Sequence, residues 1–372
     1  MINFTRTDTS IIGKWWWTID RWTILAVVLL IALGAMFTMA ASPPVAARIG
    51  ADGFHFVRKQ FIFLPPTLLL ILGISLLSPV NLRRIAAIGF LFSVFMVVMT
   101  IFVGTEIKGA VRSFRILGMS IQASEFLKPT FAVVAAWMFA EQRLRPEFPG
   151  NYIAAFLYII VAALLLHQPD IGMTIVVTAV WFTQFFLAGL PLFWVVLFGI
   201  GGIFAVIAAY YTFPHVASRI DRFIDPASGD NFQVATALQA FGNGGVFGRG
   251  PGEGQVKAKL PDAHSDFILA VAGEEFGLIV CLLVVGLFAF IMLRGFSRVM
   301  QENNLFILLA TAGLLVQFSF QAIINMASTL RLMPTKGMTL PFISYGGSSM
   351  LALGLGIGMV LGFTRKRSGG EI

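Results

Sequence analysis

The chain has 372 residues, 58% of them hydrophobic and only 12% charged, with a formal net charge of +8. A soluble domain carries about 25% charged residues, so a water-soluble globule is excluded, and runs of about 20 apolar residues recur along the whole length as membrane-spanning helices do. The weak alternating segments of an outer-membrane barrel are absent, and the basic residues are scattered among the spans instead of gathered on one module, which argues against a nucleic-acid partner.

Nothing in the polar, Trp-rich opening resembles a cleaved signal peptide. Trp15, Trp16, Trp17 and Trp22 read as an interfacial belt before the first span. Ten helices are predicted, at 22–41, 60–78, 84–103, 123–141, 151–167, 170–188, 191–213, 266–293, 303–326 and 346–364. The expected fold is all-α and polytopic, a single integral-membrane unit over 1–372. It has tails at 1–21 and 365–372 and a large outer loop at 214–265 between helices seven and eight. An even number of spans puts both tails on one side. Arg83 and Arg84, Arg143 and Arg145, Arg294 and Arg298 in the short loops of that side, with Arg365, Lys366 and Arg367, make it the cytoplasmic side. The opposite side carries more Lys and Arg in total, in longer loops, and an anionic ligand there accounts for the excess. The one cysteine, Cys281, cannot form an intrachain disulfide.

The first constellation is the loop at 239–277. The stretch 232–241 is amphipathic and reads as a helix lying along the membrane surface. The glycines at 242, 244, 245, 248 and 250 expose backbone N–H groups to anions. Lys257, Lys259 and His264 follow, and then Asp266 at the edge of an apolar helix. Ionisable groups at membrane depth are functional suspects. Asp266 is a candidate general base at the lipid–water boundary, and the plain alternative is that Ser265 or Asp266 caps the helix. Glu274 and Glu275, two to three turns deeper, are structural or ion-pair candidates.

The second constellation spans 108–128. Arg112 and Arg115 lie in an outer loop, while Glu125 and Lys128 share one helix face at i and i+3. Either Glu125 and Lys128 form a packing pair, or Lys128 joins the arginines on a phosphate. The third, at 330–350, carries Lys336 among prolines and small residues suited to close helix packing. Asp170, in HQPDIG at 167–172, sits at another helix boundary as a cap. The chain lacks a P-loop, a GxSxG elbow, an HExxH pair and a Cys/His metal cluster. Its chemistry therefore calls for a substrate already activated and already in the membrane, such as a polyprenyl pyrophosphate sugar.

These motifs resemble the SEDS family (shape, elongation, division and sporulation). The resemblance covers essentially the whole chain and rests on QPDIG at 168–172, the run at 242–277, and Met333-Pro334-Thr335-Lys336 through Ser349. Lys336 and the Gly273-Glu274-Glu275 triplet look like the division branch more than the elongation branch. The resemblance implies a ten-span peptidoglycan glycosyltransferase of the bacterial cytoplasmic membrane, acting at the septum on lipid II and undecaprenyl pyrophosphate-linked glycan. It implies a class B penicillin-binding protein and other division membrane proteins as partners. The family's essential aspartate maps to Asp266, and its Arg, Glu and Lys near the fourth span map to Arg112 or Arg115, Glu125 and Lys128. Lys257, His264, Lys336 and Ser344 complete the expected substrate contacts. Ser113-Phe114-Arg115 stands where the family has an Arg-Trp pair, which leaves the choice of arginine open, and Ala123 replaces a proline. No protein-held metal is expected; a divalent Mg or Mn is compatible with the chemistry, but no dedicated cage is visible. The rival readings are a lipid II flippase, which calls for broken helices and ion sites near the midplane, and a non-catalytic division scaffold.

Overall fold

The computed structural model describes residues 10–107, 110–116, 119–189, 191–225 and 232–366. Expectations falling on 1–9, Lys108, Pro226 and Arg367–Ile372 lie outside the described residues. Each of the ten predicted runs forms a helix: α2 (Arg21–Arg48), α3 (His55–Ser75), α4 (Pro79–Val103), α5 (Ala123–Leu144), α6 (Gly150–His167), α7 (Ile171–Leu187), α8 (Leu192–Thr212), α11 (Ile268–Val299), α12 (Leu305–Thr329) and α13 (Gly347–Phe363). By length and composition, α2, α3, α4, α6, α11 and α12 can each cross a membrane. Side-chain caps fix several starts, with Ser78 accepting from the Asn81 N–H at 3.3 Å before α4 and Asn304 from Ile307 at 3.3 Å before α12.

Five elements were not expected as such. A short helix α1 (Ile11–Thr18) precedes the first span, and α9 (Pro214–Ile224) follows α8 and carries Arg219 and Arg222 in its backbone. Between α4 and α5, the strands β1 (Thr105–Ile107), β2 (Ala110–Ile116) and β3 (Met119–Ile121) form an antiparallel sheet in chain order, with Thr105 opposite Ser113 and Phe114 opposite Ile121. The all-α expectation therefore holds for the bundle and misses this sheet. The strands are too short, and β2 too interrupted by arginine, for a period-2 pattern to stand out.

α5 and α12 form the centre of the bundle and are buried on nearly every side, with Phe131, Phe139, Leu309 and Leu315 inaccessible. α13 presses against α3 along its small residues. A Cβ on Gly354 would lie 3.0 Å from Thr67, and one on Gly358 2.9 Å from Ile74, so glycine sets that spacing.

The two ends of the described chain meet on one face. The Lys366 N–H donates to the Thr18 carbonyl at 3.1 Å, and Arg365 to that of Leu76 at 3.2 Å. There the buried Asp20 accepts from Arg294 at 2.7 Å and pairs with Arg298 at 2.9 Å. The carboxylates and loops of the three constellations lie at the other end of the bundle.

The long loop is not a surface loop. Its helix α10 (Phe232–Gly244) buries Val234, Ala237 and Ala240 against α11, and its last residue crosses so closely that a Cβ on Gly244 would sit 1.9 Å from the Gly273 carbonyl. The chain thus runs beside α11 as far as Gly277, about 13 Å along the axis from Ile268 at about 1.5 Å per residue. The expectation of a helix lying on the membrane surface is corrected, because the apolar face of 232–241 is spent on α11. At Gly277 (φ 79°) α11 is broken. The freed backbone groups are taken by the loop, with Leu278 N–H donating to Gly245 and Arg249 N–H to Glu274, both at 3.0 Å. Irregular backbone among membrane helices requires such cover.

Candidate active site

A cavity of about 860 Å³ opens at the end of the bundle away from the chain ends. One wall is the turn 262–267 that precedes α11, which contributes Asp262 and Asp266. The facing walls are β2, with Arg112 and Arg115, the start of α7, with Asp170, and the 335–337 loop, with Lys336. Lys59 from the first turn of α3 and Gln122 ahead of α5 complete the polar lining. Four cations and three carboxylates therefore face one space.

Phe267, rather than Ser265 or Asp266, occupies the cap position of α11 and makes no side-chain cap bond, and Asp266 lines the cavity. Its main chain is pinned from α12: the Asp266 carbonyl accepts from Asn325 Nδ2 at 2.9 Å and from Thr329 Oγ1 at 3.4 Å. The neighbouring residues are tied to the loop before α13, as Tyr345 N–H donates to the His264 carbonyl at 3.0 Å and Ser344 Oγ donates to that of Ser265 at 2.5 Å. Asp266 Oδ2 lies 3.2 Å from where a Cβ on Gly337 would stand, so the turn and the lysine-bearing loop touch at the carboxylate.

Arg112 is anchored as well as placed. Its Nε donates to the Gln168 carbonyl at 3.0 Å and its Nη2 to that of Pro169 at 2.6 Å. Asp170, 3.9 Å away, accepts from the Met173 N–H at 3.2 Å as the cap of α7. A guanidinium held by two carbonyls is oriented toward the cavity at little further entropic loss on binding an anion. Arg115 is exposed on the same strand.

Glu274 and Glu275 do something different. Glu274, fully buried, accepts from the N–H groups of Gln255 (2.9 Å), Val256 (2.8 Å) and Lys257 (2.9 Å). Glu275 accepts from the Gly252 N–H at 2.9 Å and pairs with Lys257 Nζ. The N–H groups that hold these carboxylates are those of Gly252, Gln255, Val256 and Lys257, not those of the glycines at 242–250 expected to face an anion, and Lys257 is corrected from a substrate contact to a buried internal pair. Arg48, at the end of α2, donates to the Leu260 carbonyl at 3.0 Å and fastens the same loop.

The match of residues 21–369 to the model of the cell cycle proteins FtsW, RodA and SpoVE decides the classification. The chain belongs to the FtsW/RodA/SpoVE family. It is 45% identical to a probable peptidoglycan glycosyltransferase FtsW of Caulobacter vibrioides, over 98% of this chain and 94% of that one. It is 34% identical to a protein of the same name in Trichlorobacter lovleyi, over 92% of each. Among solved structures it is similar to a chain described under structural coordination of polymerization and crosslinking by a peptidoglycan synthase complex. The TM-score is 0.77 and the identity 26%, over 93% of this chain and 97% of that one. The rod shape determining protein RodA of Thermus thermophilus gives a TM-score of 0.68 at 26% identity, over 95% and 99%.

Of the FtsW/RodA/SpoVE residues expected around the fourth span, only the arginines line the cavity. Lys128 and Glu125 are buried at 2% and 4% exposure and pair at 2.8 Å, and Lys128 Nζ donates to Gln321 Oε1 at 2.9 Å. Gln321 donates onward to the Thr339 carbonyl at 3.1 Å, so the pair braces α5, α12 and the loop beyond Lys336. His264, buried, packs on Phe56 with ring centres 4.0 Å apart and the rings tilted by 34°, and Ser344 is spent on main-chain groups. These residues shape the site without facing it. Tyr345 does line the cavity, and burial pushes its phenol above the usual value, which keeps it neutral. Lys59 and Asp262 were missed because each is an ordinary charged residue near a helix start. Among the described residues no three His, Cys, Asp or Glu side chains cluster as a metal cage. A divalent ion would need one or two wall carboxylates together with substrate oxygens.

Proposed function

We propose that this protein is a peptidoglycan glycosyltransferase that polymerises lipid II into glycan strands during septal wall synthesis. The observation that carries the reading is one carboxylate, Asp266, held by its main chain on the wall of a cavity whose other walls present Arg112, Arg115 and Lys336. Relatives named as peptidoglycan glycosyltransferases over nearly the whole length support it. Asp266 accepts the proton of the acceptor's C4 hydroxyl, and that oxygen attacks the anomeric carbon of the donor. The bond from that carbon to the phosphate oxygen breaks, and its electron pair leaves with undecaprenyl pyrophosphate. A single displacement inverts the anomeric centre. The cationic wall stabilises the charge that develops on the pyrophosphate, and Lys59 extends that wall toward a second lipid-linked substrate.

The protein is placed as a multi-pass protein of the bacterial cytoplasmic membrane with both ends cytoplasmic, as the positive short loops favour. Its partner is a class B penicillin-binding protein, in line with the synthase complex to which it is similar. The flippase reading draws support from the break in α11. That break is covered by the loop 245–250 and is not part of the cavity lining, whose cations and carboxylates sit together at one end of the bundle, which favours the enzyme.

The test is polymerisation of lipid II by the protein purified with its class B partner, wild type against Asp266→Asn. Strands from the wild type alone support the reading. Strands from both move the base elsewhere, and lipid II translocation without strands supports the flippase.

A further inference from the structure

We propose that Asn325 is a positioning residue whose amide clamps the turn bearing Asp266 to the loop bearing Lys336, and so sets the separation of base and cation. The inference rests on the reading of Asp266 as the base. Asn325 lies near the end of α12 and is 1% exposed. Its Nδ2 donates to the Asp266 carbonyl at 2.9 Å and to the Met338 carbonyl at 2.6 Å. A primary amide has two hydrogens, and both are used, one on each wall of the site.

The acceptor end shows that this arrangement is specific. Asn325 Oδ1 is buried and has no hydrogen-bond partner among the described residues. A buried polar atom left unsatisfied is costly, and turning the amide over would only set its oxygen against two carbonyl oxygens. Packing alone would be served as well by leucine, which has the same branched outline and no orphan acceptor. What leucine lacks is the pair of donors that joins the two segments.

Those segments meet where the chemistry is placed. Asp266 Oδ2 sits against Gly337, whose neighbour is Lys336. Thr329 Oγ1 reaches the Asp266 carbonyl at only 3.4 Å and is already engaged with the Asn325 carbonyl at 2.9 Å, so it cannot replace the clamp. Asn325 itself does not line the cavity, and its effect passes through Asp266. A misplacement of about 1 Å in a reacting group can lower a rate about 100-fold.

The experiment is steady-state polymerisation of lipid II by the complex with the class B partner, using Asn325→Leu. The expected result is a kcat about 10- to 100-fold lower with KM within about 2-fold. An unchanged kcat, or a raised KM at unchanged kcat, overturns the proposal. In the Asp266→Asn background the same substitution is expected to leave the residual rate unchanged, because the two residues act as a unit. A further fall of about 10-fold there marks a general structural role and overturns it. If Asn325→Leu does not fold, Asn325→Ser keeps one donor and is expected to lower kcat about 3- to 10-fold, and a normal kcat overturns the proposal. A normal Asn325→Leu rate beside an inactive Asp266→Asn overturns the clamp alone, whereas an active Asp266→Asn takes both inferences down.

Discussion

Two sets of carboxylates stand close together at the start of α11 and have opposite fates. Glu274 and Glu275 point into the loop 252–257, where main-chain N–H groups and Lys257 satisfy them away from water. Asp266 has its main chain tied down and its carboxylate on the wall of the cavity. A charged group among membrane helices is a functional suspect because burial is costly. Here the two that are buried deepest are structural, and the one at the edge faces a space large enough for a substrate. What separates the classes is place: the glutamates are enclosed by the loop, and Asp266 stands on the wall of a space that a substrate can enter.

The strongest way to break this contrast is at Asp266. Asp266→Asn is expected to lower polymerisation about 10²- to 10⁴-fold while the thermal midpoint in detergent stays close to wild type. An unfolded variant would place Asp266 with the glutamates. The converse substitution, Glu274→Ala, leaves the buried N–H groups of Val256 and Lys257 and the partly buried one of Gln255 without this acceptor and is expected to destabilise by about 3–5 kcal/mol. Thermal unfolding by intrinsic fluorescence reads the difference, and a wild-type midpoint would make the cradle dispensable.

The Lys257–Glu275 pair sharpens the point. Removing one partner strands a buried charge, so Lys257→Met alone is expected to be more destabilising than Lys257→Met combined with Glu275→Leu. The double-mutant cycle measures the coupling.

On the face where the chain ends meet, Asp20 is a third satisfied carboxylate. Burial would raise its pKa, but Arg294 and Arg298 outweigh that and hold it below the usual carboxylate range. A depressed pKa contributes stability that is fully present above the unfolded value of about 3.9 and is lost as pH falls through the lower folded value. Asp20→Asn is therefore expected to remove about 3 kcal/mol at pH 7, the low end for a broken buried pair because the arginines are partly exposed. It also flattens the fall in stability as pH drops below about 4, as thermal midpoints measured through that fall would show.

The smallest expected effect is at Tyr345. Its phenol is raised by burial, so its contribution is present below an unfolded value of about 10 and is lost as pH rises through the folded one. Tyr345→Phe is expected to change stability at pH 7 by less than about 0.5 kcal/mol and to remove only the alkaline loss, measured by the same thermal scan above pH 9.

The ten helices were legible because each is a run of apolar residues whose backbone must pair internally in lipid, a local property. The boundaries drifted where proline misled: α2 continues to Arg48 through Pro43 and Pro44. The sheet at 105–121 was not legible, since its strands draw their pairing from one another. Within the site, Asp266, Arg112, Arg115 and Lys336 could be singled out as charges beside glycine and proline in an oily chain. The roles of Lys257, His264 and Ser344 could not, because a buried partner and a substrate look alike in a sequence.

The sequence by itself determined a polytopic helical membrane protein, the residue types of its chemistry and the family to which it belongs. Those follow from hydrophobic run length and from motifs contiguous in the chain. Only the tertiary structure decided which charges face the cavity and which are consumed within the protein. It folded the glycine-rich loop back along a broken α11 so that the loop's N–H groups met Glu274 and Glu275, and it set Asn325 between two loops distant in the chain. Such pairings depend on positions in space across several helices, and no local pattern encodes them.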